Sequence, residues 1–142
     1  MKVLIDTNVI IDALQSRKGF LEDAGWVLLK SDRYDGYITA SSITDIYYLY
    51  HRFTRDRAKT KQGIMAITEI LDILDTTGAD CRNAMRSDIS DYEDAVLVET
   101  SLREKIDIIV TRNQKDFRNS PVKICSPLEF LEILASERKI NG

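Results

Sequence analysis

Asp6 ends the apolar run Lys2–Ile5, Asp45 follows the run Tyr37–Ala40, and Asp94 stands near the start of a helical segment. Thr111-Arg112-Asn113 follows the run Ile106–Val110, with Asp116 just beyond. Polar residues placed after apolar strands fall where open parallel sheets bind ligands, outside the carboxyl ends of the strands. Carboxylates gathered there repel one another by about 4 kcal/mol for a pair 4 Å apart at an effective dielectric near 20. Raised pKa values or a bound cation relieve that repulsion. A site of carboxylate, amide and water oxygens suits a hard divalent ion, Mg²⁺ or Mn²⁺. Helix N-termini expected near Asp45 and Asp94 favour negative charge there as well.

Each acid also has an ordinary explanation. Asp and Glu number 23, so several follow strands by chance. Asp45 fits a helix cap, Asp94 a first-turn helix acid and Asp6 a turn. Taken together they weigh more, because Asp6 terminates a very apolar strand and Asp91 and Asp94 stand three apart at a helix start. Spacing alone reaches an acidic pocket holding a metal, and goes no further.

The elements that would carry these residues alternate between strand and helix. Strands are expected at Lys2–Ile5, Tyr37–Ala40 (after a turn at Asp35-Gly36), Ile73–Asp75, Ile106–Val110 and Val122–Ile124. Helical periodicity marks a segment to about Leu14, Gly19–Lys30, a helix capped by Ser41 or Ser42, Arg57–Leu71 and Ala79–Met85. Ser90-Asp91-Tyr92-Glu93 has the capping-box form and opens a helix to about Glu104, and Pro127 begins the last helix. This order predicts one α/β domain over 1–142, a three-layer sandwich with a central, mostly parallel sheet between helices.

The 142 residues are 44% hydrophobic and 30% charged, ordinary for a globular domain with a true core. No run approaches membrane-spanning length, and the N-terminal apolar stretch is too short for a signal peptide, so a cytoplasmic protein without membrane contact is expected. His51 is the sole histidine, and Cys81 and Cys125 form no cluster, which argues against zinc and leaves the thiols as small buried apolar groups. A formal charge of −3 does not describe a chain that coats nucleic acid nonspecifically.

Several motifs occur in order. Asp6-Thr7-Asn8 after the first strand resembles the opening of PIN domains, especially the toxins of VapBC-type toxin–antitoxin pairs. Asp91-Tyr92-Glu93-Asp94-Ala95-Val96 resembles that family's third acidic motif. Val110-Thr111-Arg112-Asn113-Gln114-Lys115-Asp116-Phe117 resembles its T-R-N-x-x-D-F motif, and Pro121–Ile124 followed by Ser126–Leu131 its usual ending. The resemblance spans nearly the whole chain. It implies a Mg²⁺- or Mn²⁺-dependent endoribonuclease with Asp6, Asp45 and Asp94 in an acidic cluster, supported by Asn8, Asp91 and Thr111. It also implies a homodimer and an antitoxin partner whose peptide crosses the acidic site. Two residues depart from the family pattern: Asp45 stands where Glu is usual, and Asn113 where Asp is frequent. The fourth position is therefore divided between Asn113 and Asp116.

The chemistry suited to such a pocket is phosphodiester hydrolysis, with Asp6 and Asp94 contacting the metal and Asp45 orienting the attacking water or taking its proton. For the RNA substrate, Arg52, Arg55, Arg57, Lys59 and Lys61 with Tyr50, His51 and Phe53 form one basic-aromatic segment, equally readable as a solvated helix end. Arg112, Lys115 and Arg118 form a second, closer to the acids. Ile46–Tyr50 and Trp26 are read mainly as core, with some left for a partner groove or dimer face. A haloacid-dehalogenase-type phosphatase needs a second acid where Asn8 stands, and a phosphoacceptor receiver domain presents paired acids early and an acceptor Asp at the end of a middle strand, which is not apparent here. A noncatalytic PIN-like RNA- or protein-binding module is the remaining alternative, favoured by the departures at Asp45 and Asn113.

Overall fold

Five short strands pair side by side, all parallel: β1 (Lys2–Ile5), β2 (Asp35–Thr39), β3 (Asp72–Leu74), β4 (Ile108–Val110) and β5 (Lys123–Cys125), in the order β3-β2-β1-β4-β5. The computed structural model describes residues 1–15, 24–30 and 32–141. Seven α-helices flank the sheet among these residues: α1 (Thr7–Leu14), α2 (Ala24–Leu29), α3 (Ala40–Thr54), α4 (Arg57–Ile70), α5 (Gly78–Ala84), α6 (Tyr92–Arg103) and α7 (Pro127–Asn141). A 3₁₀ turn spans Gln114–Phe117.

Successive strand side chains alternate between faces, and each face feeds its own core. Val3 and Ile5 of β1, with Ile108 and Val110 of β4, pack with Val9, Ile10, Leu28, Ile46, Ile67 and Phe130. Leu4 and Ile109 point the other way, to Ala84 of α5 and Ala95, Val96 and Val98 of α6. The three-layer α/β sandwich expected from the sequence is thus present, with apolar strands buried on both sides. Each fully buried Leu, Ile or Phe stabilises the fold by about 1.5–3 kcal/mol. Phe130 has no exposed surface and meets Tyr34 edge to face at 5.0 Å between centroids.

Sequence spacing misplaced several boundaries. Asp35-Gly36 is the start of β2, where it pairs with Lys2 and Val3 of β1, instead of a turn. Glycine serves close packing at that point: a Cβ on Gly36 would lie 2.5 Å from Leu71 Cδ2 and 3.1 Å from Tyr34 Cε2. The cap of α3 is Thr39, so neither Ser41 nor Ser42 begins that helix. β3 is displaced one residue toward the N-terminus and β5 one toward the C-terminus. β4 is shorter than the apolar run: Lys105, with φ 58°, ends α6, and Ile106 donates its N–H to Ser101 as a buried plug before the strand. Asp91, not Ser90, caps α6. The expected helix at Gly19–Lys30 lies partly outside the described residues, as do the side chains of Trp26 and Val27; Ala24–Leu29 is helical.

No described helix is long and apolar enough to cross a membrane.

Candidate metal centre

In this strand order, successive strands leave β1 in one direction to β2 and β3, and resume on its other side with β4 and β5. The crevice beyond the carboxyl ends of β1 and β4 is therefore the topological switch point, where the two chain directions part and leave space for a ligand. Asp6 follows β1 and Thr111 follows β4, so both stand at this crevice.

Their side chains interlock. Asp6 caps α1: Thr7 N–H donates to its Oδ1 at 2.8 Å, and Thr111 Oγ1 donates to its Oδ2 at 2.8 Å. Asn8 Nδ2 lies 3.3 Å from both Asp6 Oδ2 and Thr111 Oγ1, while Asn8 Oδ1 accepts the Arg112 N–H at 3.2 Å. Asn113 N–H donates to Thr111 Oγ1 at 3.1 Å. Thr111 is fully buried and Asp6 only 8% exposed, so this network fixes one Asp6 rotamer at the base of the crevice.

The second wall is the start of α6. Asp91 caps it by accepting the Asp94 N–H at 3.0 Å, which puts Glu93 and Asp94 in the first turn. Asp116 arrives on the 3₁₀ turn after β4. A cleft of about 810 Å³ opens over these groups; Asp6, Asp45, Asp91, Glu93, Asp94 and Asp116 all line it.

Electrostatics identifies how these acids group. Asp94 is pushed up to about 7, by burial first and then by Asp6, Asp91, Asp116 and Glu93. Asp6 is also raised, chiefly by burial; the Thr111 and Thr7 hydrogen bonds oppose this, and Asp116 and Asp91 add to it. Glu93 is raised mainly by Asp45, then by burial, Asp91 and Asp6. Every charged group behind these three shifts is another acid.

The predicted site residues divide accordingly. Asp6 is buried and Asp94 half-buried at the floor, with Asn8 and Thr111 bonded to Asp6, while Asp91 and Asp116 are exposed and border it. Asp45 is exposed on α3 and faces Glu93, forming a rim. It is the sixth residue of α3, beyond the first turn, so the helix dipole expected to favour its charge does not act there. Asn113 and Asp116, the two candidates for the fourth position, both line the cleft, and Asp116 adds its charge to those that raise Asp94. Glu93 also lines the cleft, and the sequence does not single it out: it lies inside the acidic motif, yet a helix first turn explains such an acid equally well.

The basic segments separate too. Arg52 and Arg112 line the cleft. Arg55 instead closes α3 with φ 52°, and Lys115 lies exposed on the 3₁₀ turn; neither lines it. Tyr50 and Phe53 stack on each other beside a second hollow, which Lys59 also lines. Tyr48, read mainly as core, is 60% exposed and lines the acidic cleft, as does Tyr92. Cys125 is buried as expected, but Cys81 is half-buried and borders the cleft.

Among the described residues no group of three or more His, Cys, Asp or Glu is gathered closely enough to ligate one ion. The donor chemistry nevertheless fits Mg²⁺ or Mn²⁺. Both accept all-oxygen sites, and Mg²⁺ commonly keeps several waters while resting on one or two carboxylates.

Comparison with known proteins agrees with this architecture. Among solved structures, a chain of the VapBC2 assembly from Rickettsia felis, bound to a promoter DNA fragment, superposes with a TM-score of 0.67 at 16% identity. That match covers 89% of this chain and 98% of the other. A chain of a toxin–antitoxin complex from Klebsiella pneumoniae gives 0.65 at 21% identity, covering 88% and 97%. The VapC20 toxin of Mycobacterium tuberculosis, described as cleaving the sarcin-ricin loop, gives 0.60 at 15% identity, covering 75% and 86%. Identities this low show a shared fold alone. No curated protein sequence matches the chain. The PIN domain family profile matches residues 2–115, and the chain belongs to that family.

Proposed function

We propose that this protein is a Mg²⁺- or Mn²⁺-dependent endoribonuclease, the cytoplasmic toxin of a toxin–antitoxin pair acting as a homodimer. The observation that carries the catalytic reading is the condition of Asp94. It is pushed up to about 7 by burial and four neighbouring acids. Acids crowded against one another in a partly buried cleft favour a divalent ion. When bound, Mg²⁺ or Mn²⁺ supplies Lewis acidity toward a phosphoryl group and toward water.

The chain's own residues divide the remaining work. Asp6 and Asp94 are the proposed metal contacts, with Asp6 held in one rotamer by Thr7, Asn8 and Thr111. Asp91 fixes the start of α6 through the Asp94 N–H. Asp116 is the better-supported fourth acid, because its charge reaches both Asp6 and Asp94. Asp45, exposed at the cleft with its charge felt by Glu93, is the proposed group that orients the attacking water or takes its proton, and Arg52 and Arg112, which line the cleft, are the proposed contacts for RNA phosphates. The antitoxin partner rests on likeness to toxin–antitoxin complexes.

Cleavage of a mixed RNA pool with Mg²⁺ or Mn²⁺ tests this reading. Cutting is expected to stop with EDTA and in Asp6→Asn and Asp94→Asn. Wild-type protein that cuts no RNA with either ion and takes up neither by calorimetry would sink it. The reading of a noncatalytic binding module then takes its place, since no described group of three acids is gathered around one point.

A further inference from the structure

Arg112 is fixed at both ends by α1. Its backbone N–H donates to Asn8 Oδ1 at 3.2 Å, and its Nε lies 2.6 Å from Oδ2 of Asp12. The Asp12 side chain is only 4% exposed, whereas that of Arg112 is 36% exposed and borders the cleft. A guanidinium carries five N–H donors in a rigid fork. The ion pair engages Nε, and among the described residues neither Nη group has an ion pair or hydrogen bond, so four donors remain.

One partner of this pair is buried and the other is left half-open at the cleft. Burial and neighbouring acids are the main influences on the Asp6 and Asp94 carboxyls, and the Arg112 side chain is engaged by Asp12 instead. A guanidinium held through Nε, with its Nη pair open, is arranged to take two oxygens of an anion in parallel bonds. Fixing the fork in advance also removes most of the side-chain entropy that binding would cost.

We propose that Asp12 is a positioning residue that holds Arg112 as a preset phosphate contact on the cleft wall. This rests on the nuclease reading above, since an RNA phosphate is the anion that reading supplies. The probe is a labelled mixed-sequence oligoribonucleotide. Its binding is followed by anisotropy over a range of sodium chloride concentrations in an Asp94→Asn background, where cleavage does not intervene. KM and kcat of the cleaving protein are measured beside it.

Arg112→Gln and Asp12→Asn are each expected to weaken binding about tenfold. Each should also lower the slope of log affinity against log salt by about 0.7, the contribution of one single-strand phosphate contact. KM should rise with kcat little changed, and the double variant should bind no worse than Arg112→Gln alone. Arg112→Lys keeps a cation for Asp12 and the fold, and should bind several-fold more weakly for want of the planar fork; it carries the test where Asp12→Asn does not fold. Cleavage by the wild type together with unchanged affinity and salt slope in Arg112→Gln or Arg112→Lys overturns the phosphate contact. A weakened Arg112→Gln beside an unchanged, folded Asp12→Asn overturns the positioning role. A wild type that neither binds nor cuts the pool is the distinct failure of the nuclease reading, and this inference falls with it.

Discussion

Replacing Asp94 by Asn probes the electrostatics of the cleft without any RNA. Burial and four acids push the Asp94 carboxyl up to about 7 in the folded protein, against about 3.9 for an unfolded aspartate. The folded state therefore holds this proton more tightly. Its contribution to stability is complete below about pH 4 and is lost as the pH rises through about 7. At 1.36 kcal/mol per tenfold change in proton affinity the ceiling is about 4 kcal/mol. Water screening at a half-buried carboxylate reduces that to about 1–2 kcal/mol. Asparagine keeps the shape and drops the charge, so in EDTA at pH 8 the variant should be more stable than wild type by that amount. For a domain of this size the difference is about 3–8 °C in melting temperature. At pH 4 the two should melt together. Mg²⁺ should raise the wild-type melting temperature at pH 8, by the linkage between binding and folding, and leave the variant nearly unmoved. Thermal denaturation followed by circular dichroism, at several pH values with EDTA or Mg²⁺, gives all of these differences. A variant no more stable than wild type at pH 8, or one gaining as much from Mg²⁺, would refute the view that the acids are held together under repulsion for a cation.

Asp116→Asn should raise the Mg²⁺ concentration for half-maximal cleavage about tenfold, and Asn113→Ala much less; titration of RNA cutting with Mg²⁺ decides between the two as fourth position. Asp80→Asn should destabilise the domain by about 3 kcal/mol in urea, because Asp80 is 2% exposed, joins α5 to α6 through Arg103 and Thr100, and accepts the Thr77 N–H at the start of α5. Gly36→Ala should cost about 1–3 kcal/mol by overpacking, since Leu71 and Tyr34, which its Cβ would meet, are themselves buried; an unchanged urea midpoint would contradict the packing.

What the sequence disclosed and what it hid follow from the range over which each signal acts. Asp6 and Thr111 were visible because each directly ends an apolar run, and a parallel sheet needs no further information to bring such ends together. Asp91 and Asp94 were visible because helix starts are written locally, within four residues. Capping logic failed at α3 because Thr39 caps it with backbone geometry alone, while Ser41 and Ser42 point their hydroxyls back to Thr39 and line the cleft. The shift of that helix start carried Asp45 past the reach of the dipole and across from Glu93, a pairing that no local rule contains. Asp-Gly at 35–36 looked like a turn because glycine's usual meaning is conformational; here its value is the missing Cβ, which shows only when Leu71 and Tyr34 are packed against it. The Asp12–Arg112 pair is the extreme case: Arg112 stood out only as one of three basic residues near the acids and Asp12 not at all, and a separation of one hundred positions leaves no periodicity to detect. Strand ends and helix caps thus disclose where a site's acids stand. The contacts that decide whether those acids can work with a metal and a phosphate lie between elements, and they become legible only once the two sides of the switch point are brought together.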